Sequence, residues 1–400
     1  MTKTYYIRTF GCQMNKNDSE KIAGILESIG YQEAPDQHHA SLILLNTCSI
    51  RGKAESRVYG WLGQLKKLKV ESKELKVIGV CGCIPQHVKE DIFKKAPHVD
   101  LVFGANNIHH LPQLLARVEQ GEKHVIEILE NVNPVQTQGI ASLYKNTQQP
   151  IKRSSTHQAW VSIMYGCDNF CSYCVVPYTR GREVSRTKED IFAEINAIDK
   201  EQYSEIVLLG QNVNSYGKGL YQGTGIREQK VLSSGTQKPH YDFADLLNDV
   251  TNLPGVQKVG FMTSHPKDMS DKLIKTIADN PKISREIHVP VQTGDDEVLR
   301  NMNRKYTVAD YRSLVNKIRK AIPEAEVSTD IIAGFPGETE EQFQNTLNLV
   351  REMKFTRVNT AAYSPRPLTK AADMPGHLPV KVRSERLQML MKAVEESALL

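Results

Sequence analysis

The chain has 400 residues, with 51 Lys and Arg against 46 Asp and Glu and a formal net charge of +5. That length exceeds one average domain and can bury at least two cores, while the mild charge excludes a uniformly basic nucleic-acid binder, so any RNA surface must be local. The seven cysteines, an odd number, give no even disulfide framework; no apolar run approaches the roughly 18 residues of a membrane span, and a soluble, cytoplasmic protein with thiols free for metal or catalysis is expected.

Strand-loop-helix units recur through the first part of the chain. Thr4 to Phe10 reads as a strand, and Asp18 or Ser19 is placed to cap a helix carrying Ile22, Ile25, Leu26 and Ile29 at i, i+3, i+4 and i+7. Ser41 to Leu45 predicts a buried strand, followed by a helix with Ala54, Val58, Trp61, Leu62 and Leu65. Val77 to Val80 predicts a third strand with a helix after Pro85, and Leu101 to Gly104 a fourth with a helix over Leu111 to Val118. This alternation predicts an α/β domain with a parallel sheet of flavodoxin-like type. Cys12 follows the first strand, Cys48 the second, and Cys81 and Cys83 the third. The carboxyl ends of parallel strands lie side by side, so three thiolates at one sheet edge form a candidate cluster site. Spacing does not choose between Cys81 and Cys83. His38-His39 and His109-His110 read as solvated loop residues.

From about Val125 to Thr156 the periodicity fades into polar residues with Pro134, Pro150 and Lys152-Arg153, which predicts a linker over residues 126–156. Ala159 to Met164 then predicts a strand running into YGCDNFCSYCVVPYTRGREVSR, Tyr165 to Arg186. Here Cys167, Cys171 and Cys174 are spaced C-x3-C-x2-C. A structural zinc site closes with four ligands, and no nearby cysteine pair or histidine completes this one. A [4Fe-4S] cluster that only transfers electrons takes four thiolates, so three leave one iron open to a small molecule. The same spacing would also put three core cysteines on one helical face. Gly166, Asp168 and Asn169 are poor helix residues and Pro177 would stop a helix, so a loop wrapping a cluster is the expectation.

Five more strands are predicted at Glu205 to Leu209, Lys258 to Thr263, Glu286 to Val291, Val327 to Ala333 and Arg357 to Ala361. Helices are predicted between them at Lys188 to Gln202, Phe243 to Thr251, Asp271 to Asp279, Val308 to Ala321 and Glu340 to Met353. Lys218 to His240, rich in Gly, Ser and Gln, reads as a mobile surface insertion. Polar residues follow the strands directly: Gln211-Asn212, Thr263-Ser264-His265, Gln292-Thr293 and Asp330.

The spacing C-x3-C-x2-C, with an aromatic before the last cysteine, resembles the signature of the radical S-adenosylmethionine (SAM) enzymes. The strings GCQMN, NTC and G-C-x-x-Q near the N-terminus, CVVPYTRGRE, LLGQNVNSYG, TSHP, VPVQTGDDEVLRNMNR and TDIIAGFPGET, in that order, are similar to the methylthiotransferases over residues 3 to 372. LLGQNVNSYG resembles the tRNA-modifying branch in particular. The resemblance implies an N-terminal domain over 1–125 with an auxiliary [4Fe-4S] cluster on Cys12, Cys48 and Cys83, leaving Cys81 spare. It implies a partial (βα)6 radical SAM barrel over 157–380, with a second [4Fe-4S] cluster on Cys167, Cys171 and Cys174 and its active site at the carboxyl ends of the strands. The open iron of that cluster would chelate SAM, with Gln211, Gln292 and Asp330 as SAM contacts, and reductive cleavage would give a 5'-deoxyadenosyl radical. The implied reaction is insertion of a methylthio group at C2 of N6-isopentenyladenosine at position 37 of tRNA, from a methylated sulfur carried at the auxiliary cluster. It needs an external electron donor and a sulfur source. The alternatives are another acceptor, either threonylcarbamoyladenosine in tRNA or a ribosomal-protein aspartate, and a non-catalytic iron-sulfur protein that binds RNA. Arg180, Arg182, Arg186 and Lys188 beside the cysteine loop are candidates for an RNA backbone track or a SAM carboxylate contact. The string YSPRPLTKAADMP departs from the family at Leu368 and Lys370. A final helix is expected over 381–400, where relatives continue into a small TRAM domain and this chain is expected to lack it.

Overall fold

A computed structural model describes residues 3–49, 52–72, 76–128, 151–218 and 241–398. Six strands, β1 (Thr4–Thr9), β2 (Gln32–Glu33), β3 (Leu42–Thr47), β4 (Val77–Gly82), β5 (Leu101–Gly104) and β6 (Val125–Glu127), form one parallel sheet in the order β2-β1-β3-β4-β5-β6. The order reverses between β1 and β3, which is where a doubly wound sheet opens its ligand crevice. All six residues of β3 are buried. Leu42 and Leu44 enter one core and Ile43 and Leu45 the other, so helices on both faces explain an unbroken apolar run.

Three details differ from expectation here. The first helix spans Gln13–Ser28 and starts directly after Cys12, not at Asp18 or Ser19. Asp18 cannot cap because its carboxylate is buried against Arg180 of the second half of the chain, at 2.6 Å. The short strands β2 and β6 were not expected, since two or three residues carry no period. His109 and His110 are not solvated loop residues: they close a 3-10 helix, Ala105–His110, with their rings 3.8 Å apart and His110 paired to Glu127 of β6.

Strands β7 (Gln158–Ser162), β8 (Met164–Tyr165) and β9 (Val184–Ser185) open the second half. The antiparallel pair of β8 and β9 brackets the cysteine loop. β10 (Glu205–Leu209), β11 (Lys258–Phe261), β12 (Glu286–His288), β13 (Glu326–Ala333) and β14 (Arg357–Ala362) follow. With β7 they form two parallel three-stranded sheets, β11-β10-β7 and β12-β13-β14, joined by a bridge from Val259 to Ile283. The result is six parallel strands around one core that includes Val161, Leu208, Val259, Ile287 and Ile331.

The outer helices start where side chains satisfy their free N–H groups. Thr187, Ser270, Thr307 and Thr339 each accept from a first-turn backbone N–H, and Asp242 accepts from two. The helix expected over Lys188 to Gln202 stops at Asn196, and an unexpected helix, Asp296–Asn301, is capped by Asp295. The last helix, Val380–Ala398, buries Leu390 and Ala393 in the barrel core. Of the expected linker and insertion, residues 129–150 and 219–240 lie outside the described residues. Lys152 and Ser154 dock on the first helix through Glu20, at 3.1 and 2.7 Å. That helix also meets the barrel through Asn17 to Ser162 at 2.6 Å and Lys21 to Tyr165 at 2.8 Å. The carboxyl ends of both sheets therefore face one shared space. Among the described residues no helix is long and apolar enough to cross a membrane.

Candidate active site

That space is a cavity of about 250 Å³, and it draws residues from the ends of β1, β3, β4, β10, β11 and β12, from the loop after β8 and from β13. Cys12, Cys48, Cys83, Cys167, Cys171 and Cys174 all line it, as do Gln211, Gln292 and Asp330. Cys81 does not line it. It sits inside β4 opposite Asn46, fully buried in the apolar core, and burial pushes its thiol well up. Two residues further on, Cys83 has left the strand, held by its N–H to the Thr47 carbonyl at 2.8 Å.

On the sheet side, Cys12 and Cys48 come from the two strands flanking the topological reversal. Gly11 permits their approach: at φ +139°, a Cβ there would lie 2.5 Å from both Cys48 Cβ and Asn15 Oδ1. The Cys12 thiol is held down to about 6, first by a hydrogen bond with Cys48 and also by the charge of Arg180. Burial raises Cys83, and Arg180 opposes that rise.

On the barrel side, the loop from Gly166 to Val175 is not helical, as its composition predicts. Pro177 does not end a helix; it lies in the first turn of one, Val176–Thr179, where its missing N–H costs nothing. Cys171 Sγ accepts from Arg304 Nη1 at 3.4 Å and Cys167 Sγ from Asn169 Nδ2 at 3.4 Å. Burial pushes the Cys167 and Cys174 thiols up to about 11 and about 12. Buried thiols of this kind ionise when a metal centre supplies the compensating charge.

Among the described residues no three His, Cys, Asp or Glu side chains converge on a single ion's position. A cubane cluster takes each thiolate at a different corner, so two sets of three thiolates suit an iron-sulfur cluster better than a closed four-ligand zinc site.

Sequence reasoning missed Arg304. It is buried, with Nε on Tyr306 at 2.8 Å and Nη2 on the Pro290 carbonyl at 2.8 Å, and it lines the cavity. Its signal was present as the last residue of VPVQTGDDEVLRNMNR, past a helix that was not expected. Beside it His265 is kept neutral, its pKa held down to about 2 by burial and then by Arg304.

The cavity wall contains two non-glycine residues in the left-handed region, Thr263 at φ +71° and Gln292 at φ +79°. Such backbone costs on the order of 1–3 kcal/mol and gathers at functional sites. The Gln292 N–H donates to the Asp330 carbonyl at 2.9 Å, while the Asp330 carboxylate meets His288 at 3.2 Å and Asn359 at 2.9 Å. Gln211 Oε1 is buried with no partner. Arg180 and Arg186 are buried against Asp18 and Glu194, and the more exposed Arg182 and Lys188 pair with Asp168 and Asp249 at 2.6 Å each.

Residues 4–104 match the uncharacterized protein family UPF0004, and residues 161–350 match the radical SAM superfamily. The chain is 47% identical over 399 residues to the tRNA-2-methylthio-N(6)-dimethylallyladenosine synthase of Caldicellulosiruptor saccharolyticus, covering 99% of this chain and 79% of that protein. The enzyme of the same name from Pelotomaculum thermopropionicum is 44% identical over 98% of this chain and 82% of its own length. Among solved structures, TsrM, a radical SAM methyltransferase from Kitasatospora setae with cobalamin and a [4Fe-4S] cluster bound, superposes with a TM-score of 0.62 at 12% identity, over 93% of this chain and 74% of that one. The cobalamin-dependent radical SAM enzyme OxsB gives 0.57 at 11% identity, over 98% of this chain and 56% of that one. Likeness at such identities is one of fold alone. Two family matches that divide the chain where its N-terminal sheet and its barrel divide, and relatives this similar over almost its whole length, place it: the chain belongs to the radical SAM methylthiotransferases, in the tRNA-2-methylthio-N(6)-dimethylallyladenosine synthase group.

Proposed function

We propose that the protein inserts a methylthio group at C2 of N6-isopentenyladenosine in the anticodon loop of tRNA, in the cytoplasm, using SAM, an external electron donor and a sulfur source. The observation that carries this reading is the convergence of two cysteine triads on one cavity. We assign Cys167, Cys171 and Cys174 to the SAM-binding [4Fe-4S] cluster and Cys12, Cys48 and Cys83 to the auxiliary one. The division of labour follows the fold, with the sheet of residues 1–125 holding the auxiliary site and the barrel of 157–380 holding the SAM site. When bound, the clusters and SAM supply the radical, the methyl group and the sulfur.

The chain's own residues bind, orient and exclude water. Cys167, Cys171 and Cys174 would hold a cluster through three thiolates, which would leave one iron open to SAM. Arg304 and Asn169 donate to the cysteine sulfurs, which favours the negative charge those sulfurs carry. The unpartnered Gln211 Oε1 is an acceptor for a SAM amine, and Gln292 and Asp330 stand ready for its hydroxyl and adenine groups. Neutral His265 adds no charge to this wall. The apolar walls at Met14, Val175 and Leu209 limit water at the position where a carbon radical would form.

The experiment is anaerobic reconstitution of the chain, followed by separate assays for 5'-deoxyadenosine and for the methylthio nucleoside. Alanine at any of Cys167, Cys171 or Cys174 should remove both products, and alanine at Cys12, Cys48 or Cys83 only the second. Loss of 5'-deoxyadenosine in the second set would contradict the assignment.

A further inference from the structure

The proposed chemistry gives no role to Arg180, a buried cation that lines the cavity. Arg180 follows the helix Val176–Thr179 and reaches across to the N-terminal half, where Nη2 donates to Asp18 Oδ2 at 2.6 Å. The two side chains are 3% and 1% exposed, so no phosphate of an RNA backbone reaches them. A buried ion pair is by itself weak warrant for stability, because desolvation offsets most of the attraction. This pair is also incomplete: apart from an interaction of the guanidinium with the Cys83 thiol, Arg180 Nη1 is buried without a hydrogen-bond partner. An orphaned guanidinium N–H in a dry site is costly unless an acceptor arrives. Arg180 lines the cavity with Cys12 and Cys83, and its charge acts on both of those thiols.

We infer that Arg180 is a positioning residue for the auxiliary cluster, its free Nη1 donating to the cluster's anionic sulfur while Asp18 anchors the guanidinium. The inference rests on the reading of Cys12, Cys48 and Cys83 as the auxiliary ligands. Its consequence is that the auxiliary site is finished by the barrel. The thiolates come from the N-terminal sheet and the hydrogen-bond donor from the segment after the barrel's cysteine loop, so the cluster's reduction potential depends on how the two halves dock. Hydrogen bonds to sulfur and nearby positive charge both raise such potentials.

The test uses the full chain carrying Cys167→Ala, Cys171→Ala and Cys174→Ala, reconstituted anaerobically so that one cluster titrates. The midpoint potential is read by electron paramagnetic resonance during a redox titration, with iron counted in every sample. Arg180→Gln should make one-electron reduction at least about tenfold less favourable, a shift of ~59 mV to more negative potential. Asp18→Asn should shift the potential the other way, an opposite sign that simple loosening of the fold would not produce. Arg180→Gln combined with Asp18→Asn removes the pair without stranding a buried charge. It serves if the single variant fails to fold, and its potential should still lie below the parent's. A cluster at full iron content with an unchanged potential in the Arg180→Gln variants overturns the inference. Absence of iron from the parent overturns the ligand assignment and the inference with it, and the iron count tells the two failures apart.

Discussion

Gly166→Ala should disable the SAM-binding site through the backbone alone. Gly166 stands at φ +68°, between β8 and Cys167. A Cβ there would lie 2.5 Å from the Gly181 carbonyl oxygen and 2.6 Å from the Arg182 carbonyl carbon, and would also overlap the Arg182 carbonyl oxygen. All three are backbone atoms of the segment entering β9, so no side chain can swing aside. The Cys167 N–H donates to the same Gly181 carbonyl at 3.2 Å, and Tyr165 is in register with Val184. The left-handed backbone costs a non-glycine residue roughly 1–2 kcal/mol and overpacking adds typically 1–3, so about 2–5 kcal/mol falls on the few residues that aim Cys167. The sheet and barrel cores are untouched. After anaerobic reconstitution, iron per chain should fall by about half, 5'-deoxyadenosine should drop to background, and far-ultraviolet circular dichroism should match the parent. Full iron content with parental SAM cleavage would refute the reasoning.

Three further outcomes are expected. Cys81→Ala should keep the full iron content and both products, at a stability cost of about 1 kcal/mol in urea melts, because its thiol fills core and not cavity. Gly11→Ala should reverse the pattern of Gly166→Ala, retaining 5'-deoxyadenosine while losing the methylthio nucleoside, since the clash falls on Cys48. Glu183 accepts from Ser215 at 2.6 Å and is pushed up to about 7 from 4.5, chiefly by burial. Between those values the folded state holds a proton that the unfolded state has lost, so stability falls as pH rises through that window and is level above it. Glu183→Gln should flatten this slope, gaining up to about 3 kcal/mol over the parent at pH 8 relative to pH 5, as measured by urea melts.

Much of the site was legible because its signals are local. Three cysteines in eight residues declare themselves, and cysteines placed just after strands converge once the sheet is parallel. Cys83 against Cys81 was open from spacing, because which of two residues has left a strand depends on where β4 ends. The structure settles only their placement: Cys81 lies in the core and Cys83 in the cavity. Asp18 read as a cap because a buried ion pair with a residue 162 positions away leaves no local trace. Arg180 read as a candidate for an RNA track or a SAM carboxylate contact for the same reason, and Arg186 read likewise although its buried partner, Glu194, is eight residues on. Arg304 was hidden because the helix it follows, Asp296–Asn301, is too short to show a period. β2 and β6 are shorter still, and only pairing with β1 and β5 makes them strands.

The most direct measurement of the central claim is nucleoside analysis of isopentenylated tRNA incubated anaerobically with the reconstituted protein, reductant, sulfide and SAM. The account predicts 2-methylthio-N6-isopentenyladenosine together with 5'-deoxyadenosine, and neither from protein lacking Cys171. SAM cleavage with no methylthio nucleoside from fully loaded protein would contradict it.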